Sequence, residues 1–216
     1  MKKFFLFQRH TDPQWPVWKR SLFWIWNLGW GLCAALGVGL VSLVFAAVIE
    51  QKAMLLSYFH NPLLAFLNLA PVVLLYFLLY FILGRAALSY GLTAAITLGF
   101  TMGNWFKLQF RNDPLMFEDL LLLKEAGNMA GKYQLFFTKT MVLALAAVLL
   151  GWLFLHLCVR GRPGARLRLL GFALAVLCAL AVWDMTQNDD IYTNRTANIS
   201  LINQWSATQV YVSKGF

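Results

Sequence analysis

The 216-residue chain is 60% hydrophobic and only 12% charged, with a mean hydropathy of +0.64, whereas a soluble domain has about 25% charged residues. This composition excludes an ordinary soluble domain and predicts an all-α, polytopic membrane protein, because a chain in hydrocarbon must satisfy its backbone hydrogen bonds internally. The net charge of +9 suits anionic lipid. It does not indicate a nucleic-acid partner, because the basic residues lie at the ends of apolar segments rather than on one soluble face.

Residues 1–20 form a basic and aromatic lead-in, which is predicted to lie on the cytoplasmic side. The basic residues, which alternate with phenylalanine and tryptophan, are Lys2, Lys3, Arg9, Lys19 and Arg20. Two interpretations are open. The lead-in is either a lipid-surface anchor or, more commonly, the positive residues and aromatic belt that flank a first span. The apolar run that follows is too long for the hydrophobic region of a cleavable signal peptide.

Five apolar segments are predicted to cross a bilayer, whose hydrocarbon core is about 30 Å thick, and the fifth of them is short for that distance. They are predicted at 21–49, 62–83, 86–106, 140–159 and 169–183, and the last is expected to begin before Arg168. Together they predict one five-helix transmembrane domain over 21–183. Ala35 and Gly39 give the first span a small-residue face, and Gly99 and Gly103 have the spacing of a common helix-packing motif.

The stretch 104–132 interrupts the apolar segments with eight charged residues, four of each sign. Such a stretch cannot lie in hydrocarbon, so it is predicted at the membrane surface. Asp113 and Pro114 are residue types that favour a helix N-cap and a first helical position. Glu118 and Asp119 follow in early turns, where the helix dipole favours acidic side chains. These four residues predict a loop leading into a short interfacial helix over 114–126.

Asn104, Lys107 and Arg111 are the candidate functional site. If the third span stays helical to Arg111, spacings of three and four residues place these side chains along one side of the emerging helix. Two cations and an amide at headgroup depth are suited to hold a lipid phosphate, for which arginine supplies a planar pair of donors. The alternative, of equal weight on physical grounds, is that the cations only anchor the helix end at the interface.

The distribution of basic residues predicts the orientation of the chain. With the N-terminus inside, the inner segments hold ten lysines and arginines and the outer segments hold eight. The inner residues lie in short segments directly beside the spans, where they influence orientation most. We therefore expect a cytoplasmic N-terminus, and an extracellular linker over 184–216.

Residues suited to catalysis are scarce. The three histidines, His10, His60 and His156, are isolated, and the three cysteines lack metal-ligand spacing. Asp189 and Asp190 are adjacent in the polar tail, where a solvated loop is a simpler interpretation than a metal site. The sequence therefore predicts no catalytic or metal-binding residue in this chain.

Three features resemble lipoteichoic acid synthase-like phosphoglycerol transferases: the run NWFKLQFRNDPLMFEDLLLLKEAGNMAGKY, the five-span layout and the tail INQWSATQVYVSKGF. The resemblance covers most of the chain from Asn61 onward. It implies a bacterial plasma-membrane protein, in which five helices precede an extracellular catalytic domain of the alkaline phosphatase/sulfatase fold. In that family the domain uses a threonine nucleophile and a divalent metal, commonly manganese, to move glycerol phosphate from phosphatidylglycerol to an acceptor.

The resemblance also implies that the catalytic domain follows the linker and is absent here, so its threonine and metal ligands correspond to no residue of this chain. No cofactor is expected in the chain itself. The predicted function is to anchor the catalytic domain and to bind the donor lipid. The implied partners are phosphatidylglycerol and a sulfatase-fold domain, in cis or in trans. The alternative, from another class, is a non-catalytic membrane scaffold or a small transport component.

Overall fold

The structure, a computed structural model, describes residues 14–47, 62–111, 115, 119 and 139–187. The five helices are α1 (Val17–Ala47), α2 (Pro62–Leu83), α3 (Ala86–Arg111), α4 (Lys139–Cys158) and α5 (Ala165–Gln187). Each is long and apolar enough to cross a membrane, and no strand occurs in the described ranges. The predicted all-α fold with five membrane-length helices is confirmed, and these helices indicate a multi-pass membrane protein.

The helices differ from the predicted spans mainly at their ends. α1 has 31 residues and begins at Val17, so the last residues of the predicted lead-in are helical. α3 continues to Arg111, as the candidate site requires. α5 extends beyond the predicted 169–183 in both directions, and its start before Arg168 is confirmed. Charged residues lower the hydropathy of these ends, but backbone hydrogen bonding continues where a long side chain reaches the interface.

The helices alternate in direction around a centre formed by α1, α2 and α3, which contact one another. α4 packs against α1 and α3, and α5 packs against α2. A hydrogen bond of 3.1 Å from the Gly161 N–H to Asn27 Oδ1 joins the loop between α4 and α5 to the first third of α1. The start of α1, the α2–α3 turn and the α4–α5 loop therefore share one end of the bundle. We call it the arginine-rich end, after Lys19, Arg20, Arg85, Arg160, Arg162, Arg166 and Arg168.

Small residues of α1 bring it close to α2. A Cβ placed on Gly31 would lie 2.5 Å from Tyr76 Oη, and one placed on Gly39 would lie 2.8 Å from Leu69 Cδ2. Ala35, midway between the two glycines, is fully buried. The predicted small-residue face of Ala35 and Gly39 is confirmed, and it works by admitting large side chains of the neighbouring helix.

The Gly99–Gly103 motif of α3 has a different environment. A Cβ placed on Gly99 would meet no heavy atom within 4 Å, and one on Gly103 would meet only Leu115, at 3.7 Å. Within the described part of the chain, this motif therefore does not join two helices. Gly99 instead leaves open space beside α3.

The α2–α3 turn is fixed by Gly84 and Arg168. Gly84 has a φ of 66°, in the left-handed region that favours glycine, and its N–H donates to the Tyr80 carbonyl over 2.8 Å. The Arg168 Nε–H donates to the Phe81 carbonyl over 2.8 Å, and another guanidinium N–H donates to the Ile82 carbonyl. Carbonyls in the last turn of a helix lack helical partners, so Arg168 caps α2 and attaches α5 to it.

α5 has a narrow buried face and a wide apolar outer face. Its buried residues are Gly171, Ala175 and Val182. Its large exposed apolar residues are Leu169, Leu170, Phe172, Leu174, Leu177, Leu180 and Trp183. An exposed apolar surface of this extent requires an apolar environment, which the hydrocarbon of a membrane provides.

Candidate functional site

The end of α3 carries the residues that the sequence singled out. Helical geometry is continuous to Arg111, so the backbone places Asn104, Lys107 and Arg111 along one side of the helix, as predicted. The side chain of Arg111 lies outside the described residues, as do Asp113, Pro114 and Glu118.

Asn104 holds the chain that follows α3. The residue is buried, and its Oδ1 accepts a hydrogen bond of 2.7 Å from the Leu115 backbone N–H. The Leu115 side chain faces Gly103 on the same turn of α3. Leu115 comes only four residues after the end of α3 and yet lies back against Gly103 and Asn104, which requires a reversal of the chain direction after Arg111.

Lys107 and Asp119 form an ion pair that reinforces this reversal. Lys107 Nζ and Asp119 Oδ2 are 2.7 Å apart, with 14% and 22% of the respective side chains exposed. At that depth, solvent and salt screen the pair less than they screen an exposed ion pair. We call the Asn104–Leu115 hydrogen bond and the Lys107–Asp119 ion pair together the loop clamp.

The loop clamp changes how the candidate site is understood. Two of the three predicted lipid-binding residues, Asn104 and Lys107, bind groups of the chain's own loop. Asp119, expected only as an acidic residue of an early helical turn, is the counter-ion of Lys107. Of the interfacial helix predicted over 114–126, only Leu115 and Asp119 belong to the described residues. Binding of a lipid headgroup by the three residues, and the helix itself, stay predictions.

The arginine-rich end contains a second candidate site that the sequence analysis missed. A cavity of about 410 Å³ lies between the α2–α3 turn, the end of α4 and the α4–α5 loop. Three arginines line it, Arg85, Arg160 and Arg162. His156 and Trp152 line the same cavity, and their rings stack with centroids 5.4 Å apart. The cavity therefore combines cationic groups with an aromatic wall.

A signal for this second site is present in the sequence. Arg85 follows the second span, whereas Arg160 and Arg162 follow the fourth. In a bundle of alternating helices, the ends of the second and fourth helices lie on the same side of the membrane. The two basic turns can therefore be expected near each other, although hydropathy alone does not specify which helices are neighbours.

Polar residues also join α1 to α3 within the apolar part of the bundle. The Thr101 hydroxyl donates to the Thr97 carbonyl over 2.8 Å, so the Ser42 hydroxyl, 2.6 Å from Thr101 Oγ1, acts as the donor to it. Both hydroxyls are buried and satisfied, which indicates a packing role.

Among the described residues, no group of three or more histidines, cysteines, aspartates or glutamates is placed to hold a metal ion.

No known protein family, curated protein or solved structure matches this chain.

Proposed function

We propose that the chain is the membrane-embedded part of a lipoteichoic acid synthase-like phosphoglycerol transferase in a bacterial plasma membrane. In this proposal the five helices anchor an extracellular sulfatase-fold catalytic domain, present in cis or in trans. The end of α3 binds the donor lipid phosphatidylglycerol beside that domain. The threonine nucleophile and the divalent metal, manganese by the resemblance, belong to the catalytic domain.

The observation that carries the proposal is the loop clamp. It holds the start of the stretch that resembles the family, 104–133, against the last turns of α3 through Asn104 and Lys107. A polar segment held at the end of a membrane helix is restricted to headgroup depth. Arg111, one turn beyond Lys107 on the same side of α3, is then in the region where lipid phosphates lie.

The described charges support an orientation with this segment outside. The arginine-rich end holds seven lysines and arginines and no described acidic residue. The opposite end holds Lys107, Arg111 and Lys139, together with Asp119 and Asp184. Because basic residues beside the spans favour the cytoplasm, the arginine-rich end is assigned to the inside and the loop clamp to the outside.

Substitution of Arg111 tests the proposal directly. A charge-assisted hydrogen bond contributes about 1.5–3 kcal/mol, so Arg111→Ala should weaken phosphatidylglycerol binding about tenfold or more. Arg111→Lys keeps the charge but loses the planar pair of donors, so it should cause a smaller loss. Native mass spectrometry of the delipidated full chain with added phosphatidylglycerol measures both effects.

The control is Lys139→Gln, which removes an exposed positive charge from the same end of the bundle. It should leave binding nearly unchanged, because the proposed contact is specific to the end of α3. Unchanged binding in both Arg111 variants, with the protein still folded, would contradict the lipid site. That result would favour the scaffold or transport alternative.

A further inference from the structure

Among the residues that the structure describes, three arginines and no acidic residue line the cavity at the arginine-rich end. Within the described ranges the acidic residues are Asp119 and Asp184, both of which lie at the opposite end of the bundle. Arg85 and Arg162 are exposed, and neither guanidinium makes a hydrogen bond or ion pair with a described residue. Like charges that line one cavity repel each other, so a bound anion would relieve that repulsion.

An apolar groove continues from this cavity along α3 and α4. It has a volume of about 600 Å³. Its α3 side combines glycines and alanines with the larger Tyr90, Leu98 and Met102, and its α4 side consists of larger apolar residues. Gly91 and Gly99 contribute no side chain, and Gly99 faces open space. The groove is therefore wide and apolar enough to hold a hydrocarbon chain.

Trp152 belongs to both cavities. It lines the cationic cavity together with His156, and it lines the apolar groove together with Gly91 and Leu149. A tryptophan has an apolar ring and a polar N–H, a combination typical of the boundary between headgroups and hydrocarbon. The cationic cavity and the groove thus meet at Trp152, a residue type that is common at the boundary between headgroups and hydrocarbon.

We propose that the cavity and the groove together bind one anionic glycerophospholipid. Arg85, Arg160 and Arg162 hold its phosphate, and one acyl chain lies along α3 and α4. A soluble phosphate would use the cationic cavity alone, whereas the continuity through Trp152 favours a ligand with both a phosphate and a chain. This site lies at the opposite end of the bundle from Arg111 and does not depend on the function proposed above.

The first test removes the charge of the cavity. Arg85→Gln combined with Arg162→Gln should weaken binding of dioleoyl phosphatidylglycerol at least about tenfold, because two charge-assisted contacts are lost. The matched control is Lys19→Gln combined with Arg166→Gln, which removes two charges from the same end outside the cavity. It should change binding less than about threefold, and dioleoyl phosphatidylcholine should bind weakly to every variant.

Native mass spectrometry of the full chain in detergent gives the readout, in the native background and with Arg111→Ala. Arg111→Ala removes lipid binding at the site proposed at the end of α3. In that background, any remaining phosphatidylglycerol binding and its loss in the cavity variants can be attributed to the cavity. An equal loss in the cavity pair and the control pair would show a general attraction between charges and would overturn the proposal.

The second test distinguishes a lipid from a soluble phosphate as the ligand of the cavity. Ala95→Phe places a ring in the groove and should weaken binding of phosphatidylglycerol, while inorganic phosphate should not displace the lipid from the native chain. If inorganic phosphate displaced the lipid and Ala95→Phe left lipid binding unaffected, the cavity would be a site for a soluble phosphate. That result would contradict the proposal that the cavity and the groove bind one lipid.

A measurement on the native sequence keeps the proposal testable if a variant fails to fold. Phosphatidylglycerol with a photoactivatable group on one acyl chain should crosslink to α3 and α4 in vesicles of phosphatidylcholine. The groove residues expected to react are Leu98, Leu145 and Leu149. Crosslinks concentrated instead on the exposed leucines of α5 would overturn the assignment of the groove.

Discussion

Lys107 and Asp119 are partly buried charged residues, and this burial makes their ion pair important for the structure. Each is partly buried, so each loses hydration that a fully exposed side chain would keep. The ion pair compensates for that loss only while both partners are present. The pair therefore helps to fix the position of Asp119 against α3, because moving Asp119 away from Lys107 would lose their attraction at a site where solvent screens it little.

Removal of either partner should destabilise the protein. We expect Lys107→Ala and Asp119→Ala each to lower the free energy of unfolding by about 1–2 kcal/mol, because each leaves a partly buried charge unpaired. The double variant should lose little more than either single variant, which gives a clear coupling energy. Thermal unfolding in detergent micelles measures all three, and strictly additive losses would contradict the loop clamp.

The sequence predicted which residues matter at the end of α3, but not their partners. Asn104 and Lys107 were identified because they are polar residues at the end of an apolar span. Their contacts with Leu115 and Asp119 require the chain to reverse after α3, and helical periodicity contains no signal for such a reversal. For the same reason, hydropathy alone does not show that Arg85 and Arg162 are neighbours around one cavity.

Among the elements, α5 depends most on a single neighbour. It packs against α2 and buries only three residues of its length. Gly171 faces the ring of Phe81 so closely that a Cβ at this position would overlap the ring. The Phe81 ring also stacks on Phe77, with centroids 6.1 Å apart, which limits how far it can move aside.

Gly171→Ala should therefore weaken the contact between α2 and α5. Overpacking of this kind costs about 1–3 kcal/mol, and we expect a loss of that size in the free energy of unfolding. Gly99→Ala is the matched control, because it adds the same methyl group to a helical glycine that faces open space. The control should be neutral or slightly stabilising, since alanine favours helix over glycine. Equal effects from both substitutions would show that the tight contact at Gly171 is unimportant.

Hydropathy predicted the middle of every helix and missed several ends. The start of α5 contains Arg166 and Arg168, and its last turn contains Asp184. These charges lower the local hydropathy without interrupting the backbone hydrogen bonds. Arg168 stabilises its end of the bundle by capping α2. This role depends on the contact between α5 and α2, so it cannot be read from the hydropathy of α5 itself.

The whole molecule is electrically asymmetric along the bundle. Every described charge at the arginine-rich end is positive, whereas the described residues of the opposite end include three basic and two acidic ones. The two proposed lipid sites lie at opposite ends of this bundle.

Cysteine labelling of opposite ends tests the orientation on which the proposed function rests, with the end of α3 outside. In a background with Cys33, Cys158 and Cys178 replaced by serine, Gly164→Cys marks the arginine-rich end and Gln187→Cys marks the end of α5. Both positions are exposed, and a Cβ placed on Gly164 would meet no heavy atom of the described residues within 4 Å. A membrane-impermeant maleimide should label Gln187→Cys in intact cells, and should label Gly164→Cys only after permeabilisation. Strong labelling of Gly164→Cys in intact cells would contradict the account.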